Sequence, residues 1–229
     1  TLAAEHGVPV HTDAVQAVGR VPVHFHDLGV ATLAASAHKF HGPLGVGLLL
    51  VRKGIKLAPH TLGGGQQGGR RPGTVPVPLV VGLAAALGRW QAEALERMTR
   101  WRTLRNRLET AILAGLGPEA VVRNGPDLDT ARLPQTLNVG FPGLNGDALL
   151  MQLDLAGVAA SLGSACASGT TQSSPTLLAM RVPADRLRAS VRFSLGATTT
   201  ETQIDEAARR IVAVVQRITP KTATHMKSI

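Results

Sequence analysis

The sequence predicts an α/β protein in two parts, and three observations carry that expectation. Short apolar or β-branched runs at 8–11, 31–37 and 46–51 are separated by helical turns and lack the strict alternation of a one-sided sheet. A long stretch with helical periodicity follows from about position 78 and stops at Gly115 and Gly117. A second, smaller set of strand and helix signals then begins at Thr136. Residues 1–88 therefore read as part of a mostly parallel sheet with helices on both faces. Residues 89–229 read as a long linking helix and a small C-terminal α/β domain.

Each element has its own warrant. The opening residues 1–7 read as the last turn of a helix ended by Gly7, and 13–18 resumes a helical pattern. Gly63, Gly64, Gly65, Gly68, Gly69 and Gly73 crowd one loop. Ala94, Met98, Trp101, Leu104, Leu108 and Ile112 fall three and four apart and mark the buried stripe of the long helix. In the second part 136–141 reads as a strand, 147–156 as a helix stopped by Gly157, and 158–161 as a strand. Val191, Phe193 and Leu195 alternate with Arg192 and Ser194, which sends Arg192 away from the apolar face. Thr200 and Gln203 form a capping box for a last helix with Ile204, Ala208, Ile211, Val215 and Ile218 as its stripe. The tail 221–229 is expected to fray.

Composition narrows the classes. The chain has 229 residues, 44% of them hydrophobic and 17% charged, which argues against disorder. Lys plus Arg exceed Asp plus Glu by 24 − 15 = +9, which suits anionic ligands. Aromatic residues reach only 3%, so stacking platforms for single-stranded nucleic acid are scarce and no direct nucleic-acid partner is expected. Arg97, Arg100, Arg102, Arg105 and Arg107 read as the solvated face of a helix. One cysteine allows neither an internal disulfide nor a Cys-based zinc site, and a reducing, cytoplasmic compartment is the default. The apolar stretch 75–87 is short and carries Pro76 and Pro78, while 155–180 is rich in Ser, Thr and Gly. No membrane span or targeting segment is expected.

Several residues could support chemistry. Arg makes up 19 of the 24 cationic residues, yet position 39 is Lys, directly after the run 31–37. A lysine at the end of a buried strand can lose its proton and offer an amine, which Arg cannot; the alternative is a lysine snorkelling to the surface. Asp13 and Gln16 can point into one crevice at the carboxyl edge of the sheet, where a carboxylate could pair with a ring-nitrogen cation, or Asp13 can simply cap a turn. Ser36 and His38 stand two apart and would share a strand face; with the glycine-rich loop and Thr74 they could hold a phosphate, unless that loop is only a connection. His11 with Asp13, and His24 with His26, are pairs only, so no metal site is expected. Cys166 lies among Gly163, Ser164, Ala165, Ala167, Ser168 and Gly169, a setting for an accessible nucleophilic thiol, although free cysteines are usually buried. Arg192 offers a planar fork for a carboxylate.

The strings HTDAVQAVGRVPV, SAHKFHGPLGVGLLLVRKG, GGGQQGGRRPGT, GSACASG and VRFSLGATTTETQID stand together in order. Their set resembles cysteine desulfurases of the NifS/IscS type, in the class V aminotransferase group of fold type I pyridoxal-phosphate enzymes. The resemblance covers essentially the whole chain and implies roles position by position. Lys39 would bind the pyridoxal phosphate aldehyde and later move protons, Asp13 would pair with the ring nitrogen, and Gln16 with the phenolic oxygen. Ser36 and His38 would hold the phosphate, and Thr74 would reach the phosphate of a partner subunit, implying a homodimer. Arg192 would bind the carboxylate of L-cysteine. Cys166 would take the sulfur as a persulfide and release alanine. The sulfur would pass to an acceptor or iron–sulfur scaffold protein, with Cys166 in contact with a transferred iron–sulfur cluster and no resident metal. Family members have a large portion ahead of this point, with a histidine stacked on the ring, so the sequence is expected to be N-terminally truncated, with about half a cofactor pocket. Leu44, Pro72, Pro175 and Ala197 depart from the usual residues beside the motifs. Another class V enzyme, such as a selenocysteine lyase or an aminotransferase, and an inactive remnant remain the alternatives.

Overall fold

The structure, a computed structural model, describes residues 2–126, 131–162 and 174–219. The chain divides into two compact units, Thr1–Met98 and Thr99–Ile229.

In the first unit helix α1 (Leu2–Glu5) ends where Gly7 turns left-handed at φ 62°, as the sequence predicts. Strands β1 (His11–Asp13), β2 (Thr32–Ser36) and β3 (Gly47–Val51) form a sheet in that order. β1 and β2 run parallel and β3 joins antiparallel. Leu33, Ala35 and Ala14 make its small core, with Val18, Val23 and Phe25 packed around them. Residues 13–18 do not form the expected helix. After β1 the chain makes hydrogen-bonded turns, with Val18 N–H on Ala14 O and Val21 N–H on Ala17 O, and Gly19 at φ 76° prevents the turns from propagating. Beyond β2 a single 3₁₀ turn covers Ala37–Phe40, with Ala37 and Phe40 buried and the Gly42 N–H closing on Ala37 O at 2.9 Å. The glycine-rich loop contains one further 3₁₀ turn, Gln66–Gly69. Helix α2 (Val77–Leu116) follows and continues across the division between the units.

The second unit has a four-stranded sheet in the order β4 (Val122–Arg123), β5 (Thr136–Gly140), β7 (Ser190–Ser194), β6 (Ser161–Leu162), every pairing antiparallel. Helices α3 (Gly146–Leu155), α4 (Pro175–Ala179), α5 (Ala184–Leu187) and α6 (Glu201–Ile218) complete it. Its core joins Trp101, Leu104, Leu108 and Ile112 of α2 to Leu137, Val139, Val191 and Phe193 of the sheet and to Leu149, Ile204 and Ile211 of the other helices. Each such large side chain contributes roughly 1.5–3 kcal/mol on burial. Trp101 also donates its indole N–H to Gly196 O at 3.0 Å. α6 begins with the expected capping box between Thr200 and Gln203. The strand expected at 158–161 comes later, at Ser161–Leu162.

One expectation needs correcting. The arginines of α2 are not a plain solvated face: Arg105 is fully buried and donates to Leu133 O and to the Asn106 side chain. Arg107 grips Asp205 and Glu201, and Arg100 donates to Ala197 O and Thr199 O. A guanidinium on a helix facing backbone carbonyls and carboxylates is committed to them.

Candidate active site

The first unit assembles its polar groups at one edge of its sheet. Because β1 and β2 are parallel, Asp13 and Ser36 both lie at carboxyl ends, the edge where open α/β sheets hold ligands. Asp13 is exposed, and its Oδ1 accepts the Val15 N–H at 2.9 Å, so the turn after β1 fixes this carboxylate. Gln16 is exposed in the same turn.

Ser36 and His38 do meet, Oγ to Nδ1 at 2.9 Å. They meet for a different reason from the one the spacing suggests. Ser36 ends the strand and the 3₁₀ turn brings His38 back to it, where a continued strand would merely have set the hydroxyl and the imidazole on one face. Lys39 is likewise on this turn and not on the strand, and it is half-buried. Its backbone carbonyl accepts Arg20 Nη2 at 2.8 Å. Thr74 is exposed in the loop before α2, after Gly73, whose N–H is held by Gln66 Oε1 at 3.2 Å.

Sequence reasoning missed Arg20 and His41. Burial pulls the Arg20 guanidinium below its usual range, with Arg97 adding repulsion. His41, left-handed at φ 69°, is pushed below the ordinary histidine value by burial and by Arg20, Arg97 and Arg89. Nineteen positions separate Arg20 from Lys39, so no local pattern could have paired them.

In the second unit Arg192 sits on β7 between buried Val191 and Phe193 and points off the core, as the alternation predicts. Cys166 lies outside the described residues. Among the described residues no group of three or more His, Cys, Asp and Glu could hold a metal ion, and no helix is long and apolar enough to cross a membrane.

Residues 1–207 match the family described as Aminotransferase class-V. The chain belongs to the class V aminotransferase family. Among similar proteins, a cysteine desulfurase of Bradyrhizobium diazoefficiens is 46% identical over 93% of this chain and 53% of its own length. The cysteine desulfurase NifS of Azotobacter vinelandii is 40% identical over 95% of this chain and 53% of its own. Among solved structures, a NifS-like protein superposes with a TM-score of 0.79 at 34% identity, covering 92% of this chain and 53% of that one. A NifS-like protein from Rickettsia africae gives a TM-score of 0.82 at 26% identity, covering 94% of this chain and 56% of the other. This class V chain thus spans about half the length of the curated relatives it matches.

Proposed function

We propose that this chain carries the chemistry of a pyridoxal-phosphate-dependent cysteine desulfurase, taking sulfur from L-cysteine, releasing L-alanine and holding the sulfur as a persulfide on Cys166. The observation that supports it most is the placement of a lysine one residue beyond a hydrogen-bonded Ser36–His38 pair at the carboxyl edge of a parallel strand pair.

The donor set is chemically matched to the cofactor. A hydroxyl and an imidazole suit a phosphate, an exposed carboxylate suits a protonated ring nitrogen, and a primary amine suits an aldehyde. In this reading Ser36 and His38 take the phosphate, Asp13 the ring nitrogen, Gln16 the phenolic oxygen, and Lys39 the aldehyde carbon. When bound, pyridoxal phosphate supplies the electron sink that loosens bonds at the substrate's carbons. Arg20 holds the carbonyl of Lys39 and so fixes the turn from which the amine reaches out. Lys39 moves protons and Arg192 orients the substrate carboxylate; the Cys166 thiolate would attack the substrate sulfur, forming the S–S bond as the S–C bond breaks, with that bond's electron pair left on the carbon skeleton, which takes up a proton and departs as alanine. The protein works in the cytoplasm as a homodimer in which Thr74 reaches the phosphate held by the partner subunit. The division of labour runs between 1–88, which binds the cofactor, and 89–229, which presents Cys166. The sulfur passes to an acceptor or iron–sulfur scaffold protein, with a transferred iron–sulfur cluster meeting Cys166.

Two measurements test this. Pyridoxal phosphate followed by borohydride should label one lysine, Lys39, in peptide maps, and Lys39→Ala should abolish the label; equal labelling of Lys53 and Lys56 would overturn the assignment. In a preparation that releases alanine from cysteine, Cys166→Ser should lower turnover roughly 100-fold or more. Equal turnover would remove Cys166 as the sulfur carrier.

A further inference from the structure

Arg192 does not stand alone on its sheet face. Asn138 on β5 and Ser161 on β6 are its direct register partners. Directly opposed residues on antiparallel strands share a face, with Cβ atoms about 4.5–5.5 Å apart. The three therefore make one polar row across β5, β7 and β6.

The two sides of the row differ. On the β5 side the polar side chains bond one another: the Asn124 amide donates to Asn138 Oδ1 at 2.7 Å and to Ser190 Oγ at 2.8 Å, and Ser190 donates to Arg186 O at 2.9 Å, although Asn124 Oδ1 and Arg186 Nε stay without a partner among the described residues. On the β6 side two donors are left over. Ser161 Oγ and Arg192 Nε are both shielded from solvent, and among the described residues neither has a partner. Several other arginines of this unit meet a carboxylate: Arg123 and Arg132 through Nη1 with Glu109, Arg107 with Asp205, Arg209 and Arg210 with Glu206. Buried donors left without acceptors are costly, and an anion supplied from outside removes the cost.

We propose that Ser161 is a second carboxylate-binding residue, donating its hydroxyl to the same amino-acid carboxylate that Arg192 grips side-on through Nε–H and one Nη–H. Asn138, locked by Asn124, closes the other side and directs the carboxylate towards β6. A carboxylate has two oxygens in one plane and about four acceptor sites, enough for the guanidinium edge and a hydroxyl together. The proposal rests on reading Arg192 as the substrate-carboxylate residue, and it adds the residue that makes the grip selective.

The test is a titration of the 15N-labelled chain with L-alanine, following the Arg192 Nε–H resonance, with L-alaninamide as the control that lacks the carboxylate. L-alanine should move the resonance and L-alaninamide should not. Ser161→Ala should weaken L-alanine binding roughly tenfold, while Ser161→Thr, which keeps the hydroxyl, should stay within about threefold of the parent. If Ser161→Ala binds like the parent and Arg192→Gln does not, Ser161 has no part and the proposal fails while Arg192 keeps its role. If Arg192→Gln binds like the parent, the underlying reading fails. Equal weakening by Ala and Thr would point to packing and overturn the proposal, as would a parent chain that L-alanine does not shift at saturating concentration.

Discussion

Gly19 sits at φ 76° against Phe40, and a Cβ at that position would fall inside the phenyl side chain. Phe40 is almost fully buried and directly follows Lys39. Gly19→Ala therefore combines left-handed strain with overpacking and should cost about 2–4 kcal/mol, read as a lower urea midpoint. Because the displaced ring belongs to the turn that presents Lys39, borohydride trapping of pyridoxal phosphate on that lysine should fall as well; unchanged trapping with lowered stability would separate the packing role from the site. The identities at this site were legible in the sequence, since Lys39 stands out among arginines and Asp13, Ser36 and His38 flank apolar runs. Their geometry was not. A spacing of two suggests a strand face, whereas the contact depends on a 3₁₀ turn whose closing bond, Gly42 N–H to Ala37 O, leaves no periodic trace.

At the scale of elements, local signals were read well and long-range ones were not. Gly7 ends α1 and the Thr200–Gln203 box starts α6, because a cap needs only the residues that form it. The order β4-β5-β7-β6 depends on partners such as Asn138 and Arg192, more than fifty positions apart, and no run of residues encodes that register. The row of Asn138, Arg192 and Ser161 was invisible for the same reason. The capping box gives a direct check. Thr200 Oγ1 accepts the Gln203 N–H at 3.3 Å and Gln203 Oε1 accepts the Thr200 N–H at 2.9 Å. Thr200→Ala should cost about 1 kcal/mol and lower the melting temperature by roughly 2–4 °C, whereas Thr200→Ser should be nearly silent. α6 packs Ile204, Ala208, Ile211, Val214 and Val215 into the core, so loss at its first turn reaches the whole second unit.

For the whole molecule the surplus of positive charge makes pH the sharpest probe, and the sign follows from which groups shift. Arg97 and then Arg89 hold the Glu93 carboxyl below its usual range, Arg107 does the same to Asp205, and Arg209 with Arg210 bring Glu206 from 4.5 down to about 2. A carboxylate depressed in the folded state stabilises it above the unfolded value, and that contribution is lost as pH falls through the folded one. Melting temperature should therefore decline between about pH 4.5 and 2, with Glu206→Gln losing part of that decline. These side chains are at the surface, so 1 M salt, with a screening length of about 3 Å, should flatten the step. His41 adds a separate limb. Its value is pushed down, mainly by burial, so the unfolded chain takes up the proton first and stability falls as pH drops through the unfolded value near 6.5. Subtracting the His41→Gln curve from the parent's should isolate that limb; a difference that is flat from pH 7.5 to 5 would show that neither burial nor the guanidinium groups of Arg20, Arg97 and Arg89 lower the His41 ring's proton affinity. The +9 charge acts in the same direction, since each carboxylate lost to protonation leaves more arginine unbalanced.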